Sequence, residues 1–187
     1  MSVFLLGGGR DVAVCGSLLE AFVGEARERA TADPVIALLL VLEADDDASV
    51  ERFRGVLEAA GAASAEIRVH AIVEGDGFTD AAIGGAAGVF VGGGLTPAYR
   101  EAFSGIRDAV RERVADGMPY AGFSAGAAIA AGPALVGGFR VGEVEQSETR
   151  AHLDRVELFA RVLRHDLDSA DAEPADERGA RRDRRAR

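Results

Sequence analysis

The chain has 187 residues, of which 48% are hydrophobic, enough to build the core of one domain, so a two-domain reading is unnecessary. No apolar segment is long enough to span a bilayer, so a soluble protein with no membrane partner is expected. The net charge of −10 argues against nucleic acid as a partner, because phosphate binding draws on a basic surface, but it does not identify a substrate.

Val3 to Leu6 reads as a first buried strand, followed by the small-residue loop Gly7-Gly8-Gly9. The same N-terminus lacks a basic n-region and its apolar run is too short for a signal peptide. The single cysteine, Cys15, excludes an internal disulfide and agrees with a cytoplasmic location. It reads as a small buried hydrophobe and not a nucleophile. Val12 to Ala30 follows as a helix, then a strand over Val35 to Leu42 and a helix over Ala48 to Ala60 capped by Asp47 or Ser49. Next come a strand over Ile67 to Val73 and another over Gly88 to Val91. A helix from Pro97 to Ala115, with Thr96 as N-cap, leads to a strand over Met118 to Ala121 and small-residue helix material from Ala125.

Strands that run almost continuously in Val, Ile and Leu and alternate with helices imply a parallel sheet covered on both faces. The fold class is therefore α/β, a three-layer sandwich with a mostly parallel central sheet. Ligands in such sheets bind beyond the carboxyl ends of the strands, where Gly7-Gly8-Gly9, Gly92-Gly93-Gly94 and Ser124 all fall.

Past Gly142 the composition changes: of 24 glycines only Gly179 lies beyond that point. Leu153, Val156, Phe159, Ala160, Leu163 and Leu167 have the spacing of one amphipathic helix between Gln146 and Leu167. This places a single domain over residues 1–167 and a disordered charged tail over 168–187, whose run Arg181-Arg182-Asp183-Arg184-Arg185 reads as solvated.

The chemistry centres on Gly122-Phe123-Ser124-Ala125-Gly126. Small residues flanking a serine between strand and helix allow a sharp turn that projects Oγ into a cleft and turns the next amides toward it, making Ser124 the candidate nucleophile. Acyl transfer also needs donors for the developing oxyanion. The amide of Ala125 supplies one and Gly93 or Gly94 the other, at a loop where glycine permits close approach. Nucleotide binding is the weaker reading of Gly92-Gly93-Gly94, since neither a dinucleotide fingerprint nor a P-loop Lys is present. Of three histidines, His70 lies within an apolar strand and reads as a satisfied structural residue. His152 and His165 follow the serine, the order of elbow hydrolases, and are the candidate bases. Glu143 is the chosen acid among Glu143, Glu145, Glu148 and Asp154.

Three segments together, Val3 to Gly9, Val89 to Thr96 and Gly122 to Ala127, resemble the dipeptidase E and cyanophycinase group of serine peptidases, within the class I glutamine amidotransferase-like superfamily. The resemblance covers about the first 142 residues. It implies a Ser nucleophile, a glycine-rich oxyanion loop, a downstream His with an acidic partner, and cleavage of short or aspartyl-containing peptides without metal or organic cofactor. A serine at the turn, where the amidotransferase relatives use a thiolate, argues against a glutaminase half-site. Beyond Gly142 the chain departs from the family pattern, in which a glycine turn precedes the catalytic His. His165 is preferred over His152 on its distance from Ser124. Two further readings stay open: an impaired member serving as a binding or dimerisation module, in keeping with a homodimer, and an amidase or esterase on the same framework.

Overall fold

The computed structural model describes residues 2–43 and 46–130, and the backbone alone of 139–141 and 144–146. Five strands, β1 (Val3–Leu6), β2 (Ile36–Leu42), β3 (Ile67–Val73), β4 (Gly88–Val91) and β5 (Tyr120–Phe123), form one all-parallel sheet in the order β1-β5-β4-β2-β3. The fold is α/β, as the continuous apolar runs require. The inner strands β2, β4 and β5 are buried almost throughout, whereas β1 and β3 are partly exposed.

On one face lie α1 (Val12–Ser17), α2 (Glu20–Arg29) and α3 (Asp47–Ala59). Their core is a chain of inclined rings in which Phe22 meets Phe4 and Phe90, and Phe53 meets Phe90 and Phe123. On the other face α4 (Thr96–Ala102), α5 (Arg107–Ala115) and α6 (Ala125–Ala130) cover Leu39, Val89, Val91 and Tyr120. A short antiparallel pair, β6 (Phe139–Val141) with β7 (Val144–Gln146), forms a second sheet that the sequence reading did not foresee.

Several element boundaries differ from expectation for local reasons. The helix read as Val12 to Ala30 is two helices. Gly16 presses so closely on α3 that a Cβ there would lie 2.5 Å from the Ala59 Cβ, and the chain turns at Leu18 and Leu19 before Phe22, Val23 and Ala26 reach the core. The helix read as Pro97 to Ala115 also divides, at a turn that buries both Phe103 and Ile106. Thr96 is the first helical residue of α4 and Leu95 its cap, while α3 is capped by Asp46, whose carboxylate accepts the Ser49 amide at 3.1 Å. β5 begins two residues later than Met118 because Pro119 has no N–H for the ladder. The helix expected from Gln146 meets β7 at that residue, and the rest of it, like the tail from 168, lies outside the described residues. Among the described residues no helix is long and apolar enough to cross a membrane.

Candidate active site

β5 runs between β1 and β4, pairing Phe123 with Leu6 and Gly122 with Val91. The ladder carries one residue further, since the Ser124 amide donates to the Leu6 carbonyl at 2.8 Å. There the chain reverses. Ser124 adopts φ 51°, making it the only described non-glycine residue in the left-handed region, and its carbonyl accepts the Ala128 amide of α6 at 2.9 Å. An L-residue in that conformation costs roughly 1–2 kcal/mol, so the surrounding contacts hold Ser124 there against its preference. The residue is exposed while Phe123 and Ala125 on either side are buried.

The two glycines of the motif are needed for space and not for backbone angle, a refinement of the expected role. Neither has positive φ. A Cβ on Gly122 would lie 2.5 Å from the Gly126 carbonyl oxygen, and one on Gly126 would lie 2.3 Å from the Val91 carbonyl oxygen. α6 therefore leaves the sheet at backbone contact with β5 and β4, and the Gly126 amide donates to the Gly92 carbonyl at 3.0 Å. The buried Tyr120 phenol donates to the Gly126 carbonyl at 2.7 Å, tying strand to helix across the turn. Burial above all, and then neighbouring Tyr99, pushes the Tyr120 pKa upward, which keeps it a neutral donor.

The loop after β4 lies directly against the serine. A Cβ on Gly93 would come within 3.0 Å of the Ser124 Cβ and 3.1 Å of the Phe123 ring. The Gly93 carbonyl accepts a long hydrogen bond, 3.4 Å, from the Tyr99 phenol, whose pKa is pushed up to about 12, chiefly by burial. The peptide joining Gly93 to Gly94 is trans, so the Gly94 N–H points away from Tyr99. At the end of the helix-bearing turn, Ala125 occupies the first position of α6, where an amide has no carbonyl of its own helix to bond. Beside Gly93 and Gly94 a cleft is lined by Glu43, Asp46, Ser49 and Glu74.

The loop after β1 completes the edge. Gly8 and Gly9 take φ of 149° and 148°, and the Gly9 carbonyl accepts from the Arg52 guanidinium of α3. Arg52 lies over the rings of Phe53 and Phe123, 5.0 and 5.2 Å from their centroids.

The structure thus brings together Ser124, Ala125, Gly93 and Gly94. His152, His165 and Glu143 lie outside the described residues. His70 sits midway along β3, three strands from β5 in the sheet, with a pKa lowered by burial and by Arg68. Its Nε2, expected to be satisfied, has no hydrogen-bond partner among the described residues. No group of three His, Cys, Asp or Glu among the described residues is placed to hold a metal ion. Sequence reading missed Tyr99, Tyr120 and Arg52. The signal available for Arg52 was its position near the start of the helix after β2, at the ligand-binding edge of a parallel sheet.

A parallel sheet covered on both faces, with an exposed serine at a strand-to-helix turn and a glycine loop packed on it, defines an α/β protein in which the loops at the carboxyl ends of β1, β5 and β4 lie side by side. The sequence profile of peptidase family S51 matches residues 3–137, and the chain belongs to that family. A peptidase function follows at the level of the family. The matched range contains the three loops and stops short of Glu143, His152 and His165. No curated protein matches the chain.

Proposed function

We propose that this protein is a serine peptidase of the dipeptidase E type that hydrolyses short peptides, aspartyl-containing ones among them. The observation that carries the reading is Ser124, exposed and held at φ 51° between β5 and α6 with the Gly93 loop against it. Ser124 Oγ attacks the scissile carbonyl, and His165, or His152 in its place, takes the hydroxyl proton and returns it to the leaving amine. Glu143 orients that imidazole. The oxyanion of the tetrahedral intermediate lies between the amides of Ala125 and Gly94. Gly94 is favoured over Gly93 because the Gly92 carbonyl accepts the Gly126 amide of α6, which turns the Gly93 N–H of the same trans peptide away from α6, whereas the Gly93 carbonyl faces Tyr99 and turns the Gly94 N–H the opposite way. The chemistry needs neither metal nor organic cofactor.

Replacing Ser124 with Ala should abolish hydrolysis by purified protein and block labelling by a fluorophosphonate probe. Undiminished hydrolysis in Ser124→Ala overturns the assignment. A panel of peptide, amide and ester substrates distinguishes a peptidase from an amidase or esterase. A catalytically impaired member acting in binding or dimerisation is favoured by one fact, the family match ending at residue 137 before both candidate bases. Rapid fluorophosphonate labelling of Ser124 excludes it, because an unactivated serine hardly reacts.

A further inference from the structure

Arg52 has an unusual setting for a cation in so acidic a chain. It is half-buried, lies over two aromatic rings and gives a hydrogen bond to the Gly9 carbonyl, yet it has no carboxylate partner among the described residues. One of the rings belongs to Phe123, the residue before Ser124, and Gly9 belongs to the loop beside β5. The two ring contacts and one carbonyl hold the guanidinium in place but, among the described residues, occupy few of its five donors. A planar fork held in place with unused donors matches a carboxylate, which it binds through two parallel hydrogen bonds.

The cleft beside Gly93 and Gly94, which the start of α3 also lines, has the reverse sign. Glu43, Asp46 and Glu74 line the cleft beside Gly93 and Gly94, which disfavours a second negative charge there. A substrate carboxylate is thereby favoured toward Arg52, against the ring of Phe123, over that acidic cleft.

We propose that Arg52 is a specificity-determining residue that binds a carboxylate of the peptide substrate beside Ser124, a role that rests on the peptidase reading above. Two carboxylates share the required chemistry, the side chain of an acidic residue on the acyl side and the free C-terminus of a short peptide.

The test uses the full chain and three dipeptide substrates, Asp-Leu, Asn-Leu and Asp-Leu amide, with kcat/KM compared between wild type, Arg52→Gln and Arg52→Lys. Arg52→Gln should lower kcat/KM on Asp-Leu by about 10- to 100-fold, the range for losing hydrogen bonds to a charged group. The penalty should shrink to a few-fold on whichever neutral analogue lacks the bound carboxylate. Collapse on Asn-Leu identifies the side chain, and collapse on Asp-Leu amide identifies the C-terminus. Arg52→Lys should recover part of the loss, since it keeps the charge without the fork. An equal penalty on all three peptides, or no penalty on any, overturns the proposal in favour of a packing role. Thermal unfolding of both variants shows whether either is misfolded, and Arg52→Lys decides the matter if Arg52→Gln is. Calorimetric titration of the three dipeptides into Ser124→Ala, with and without Arg52→Gln, separates this proposal from the one it rests on. If wild type cleaves nothing and Ser124 resists fluorophosphonate, the peptidase reading falls, and a preference for Asp-Leu lost with Arg52 still upholds the carboxylate site. Absence of that preference overturns it.

Discussion

Ser124 is strained where it stands, so substitutions there separate stability from activity. Glycine reaches φ 51° without the Cβ penalty, whereas alanine keeps it. Ser124→Gly should therefore be more stable than Ser124→Ala by about 1 kcal/mol in urea unfolding, with both inactive, the reverse of the usual ranking of these two residues inside a helix. Gly93 gives the complementary case. A methyl group there meets the Ser124 Cβ at 3.0 Å and the Phe123 ring at 3.1 Å, so it moves the nucleophile more than it disturbs the core. Gly93→Ala should slow fluorophosphonate labelling of Ser124 by about tenfold or more, since small misplacements of reacting atoms are costly, with a much smaller loss of stability. An unaltered labelling rate would show that the loop has room to yield.

At the scale of elements, the turn works because α6 touches β5 and β4 backbone to backbone. Gly122→Ala and Gly126→Ala each drive a methyl group to within 2.5 Å of a carbonyl oxygen, where no flexible side chain can move aside. Each should cost about 1–3 kcal/mol or more by overpacking, read from the denaturation midpoint. Tyr120→Phe removes the phenol that joins β5 to the Gly126 carbonyl and should cost about 1 kcal/mol. The motif itself was legible in the sequence, and so were the three glycine and serine loops and most strand boundaries. The reason for its glycines was not, because it lies in carbonyls of β4 and α6 that no local pattern reveals. Likewise the breaks at Leu18 and Phe103 follow from where helices must turn to pack, and weak helix formers stand at both, Gly16-Ser17 before the first and Ser104-Gly105 after the second.

For the whole molecule, the lack of lysine makes the alkaline response simple. The chain has two tyrosines, both buried and both with pKa values raised by burial, Tyr99 to about 12 and Tyr120 also upward. Below pH 10 both are protonated whether the chain is folded or not, and they contribute no pH dependence. Above it the unfolded chain releases these protons first, so stability falls as pH rises, with a limiting slope of about 1.4 kcal/mol per pH unit for each tyrosine. The Tyr99 contribution levels off near pH 12. Unfolding free energies measured from pH 9 to 12 should show this decline, and the Tyr99→Phe/Tyr120→Phe double variant should flatten it.

Hydrophobic runs, glycine and proline punctuation and the order of strands and helices along the chain determined the α/β class and the loops that carry the chemistry, because these are local signals of period and turn. Tertiary structure decided that β5 lies between β1 and β4, which makes the loops bearing Gly9, Gly93 and Ser124 neighbours along that edge and sets Arg52 against Phe123. Strand order is a choice among long-range pairings, and strands buried on both faces suit several neighbours alike. Only the packing of the assembled sheet, with its contacts at Gly92, Gly122 and Gly126, selects one.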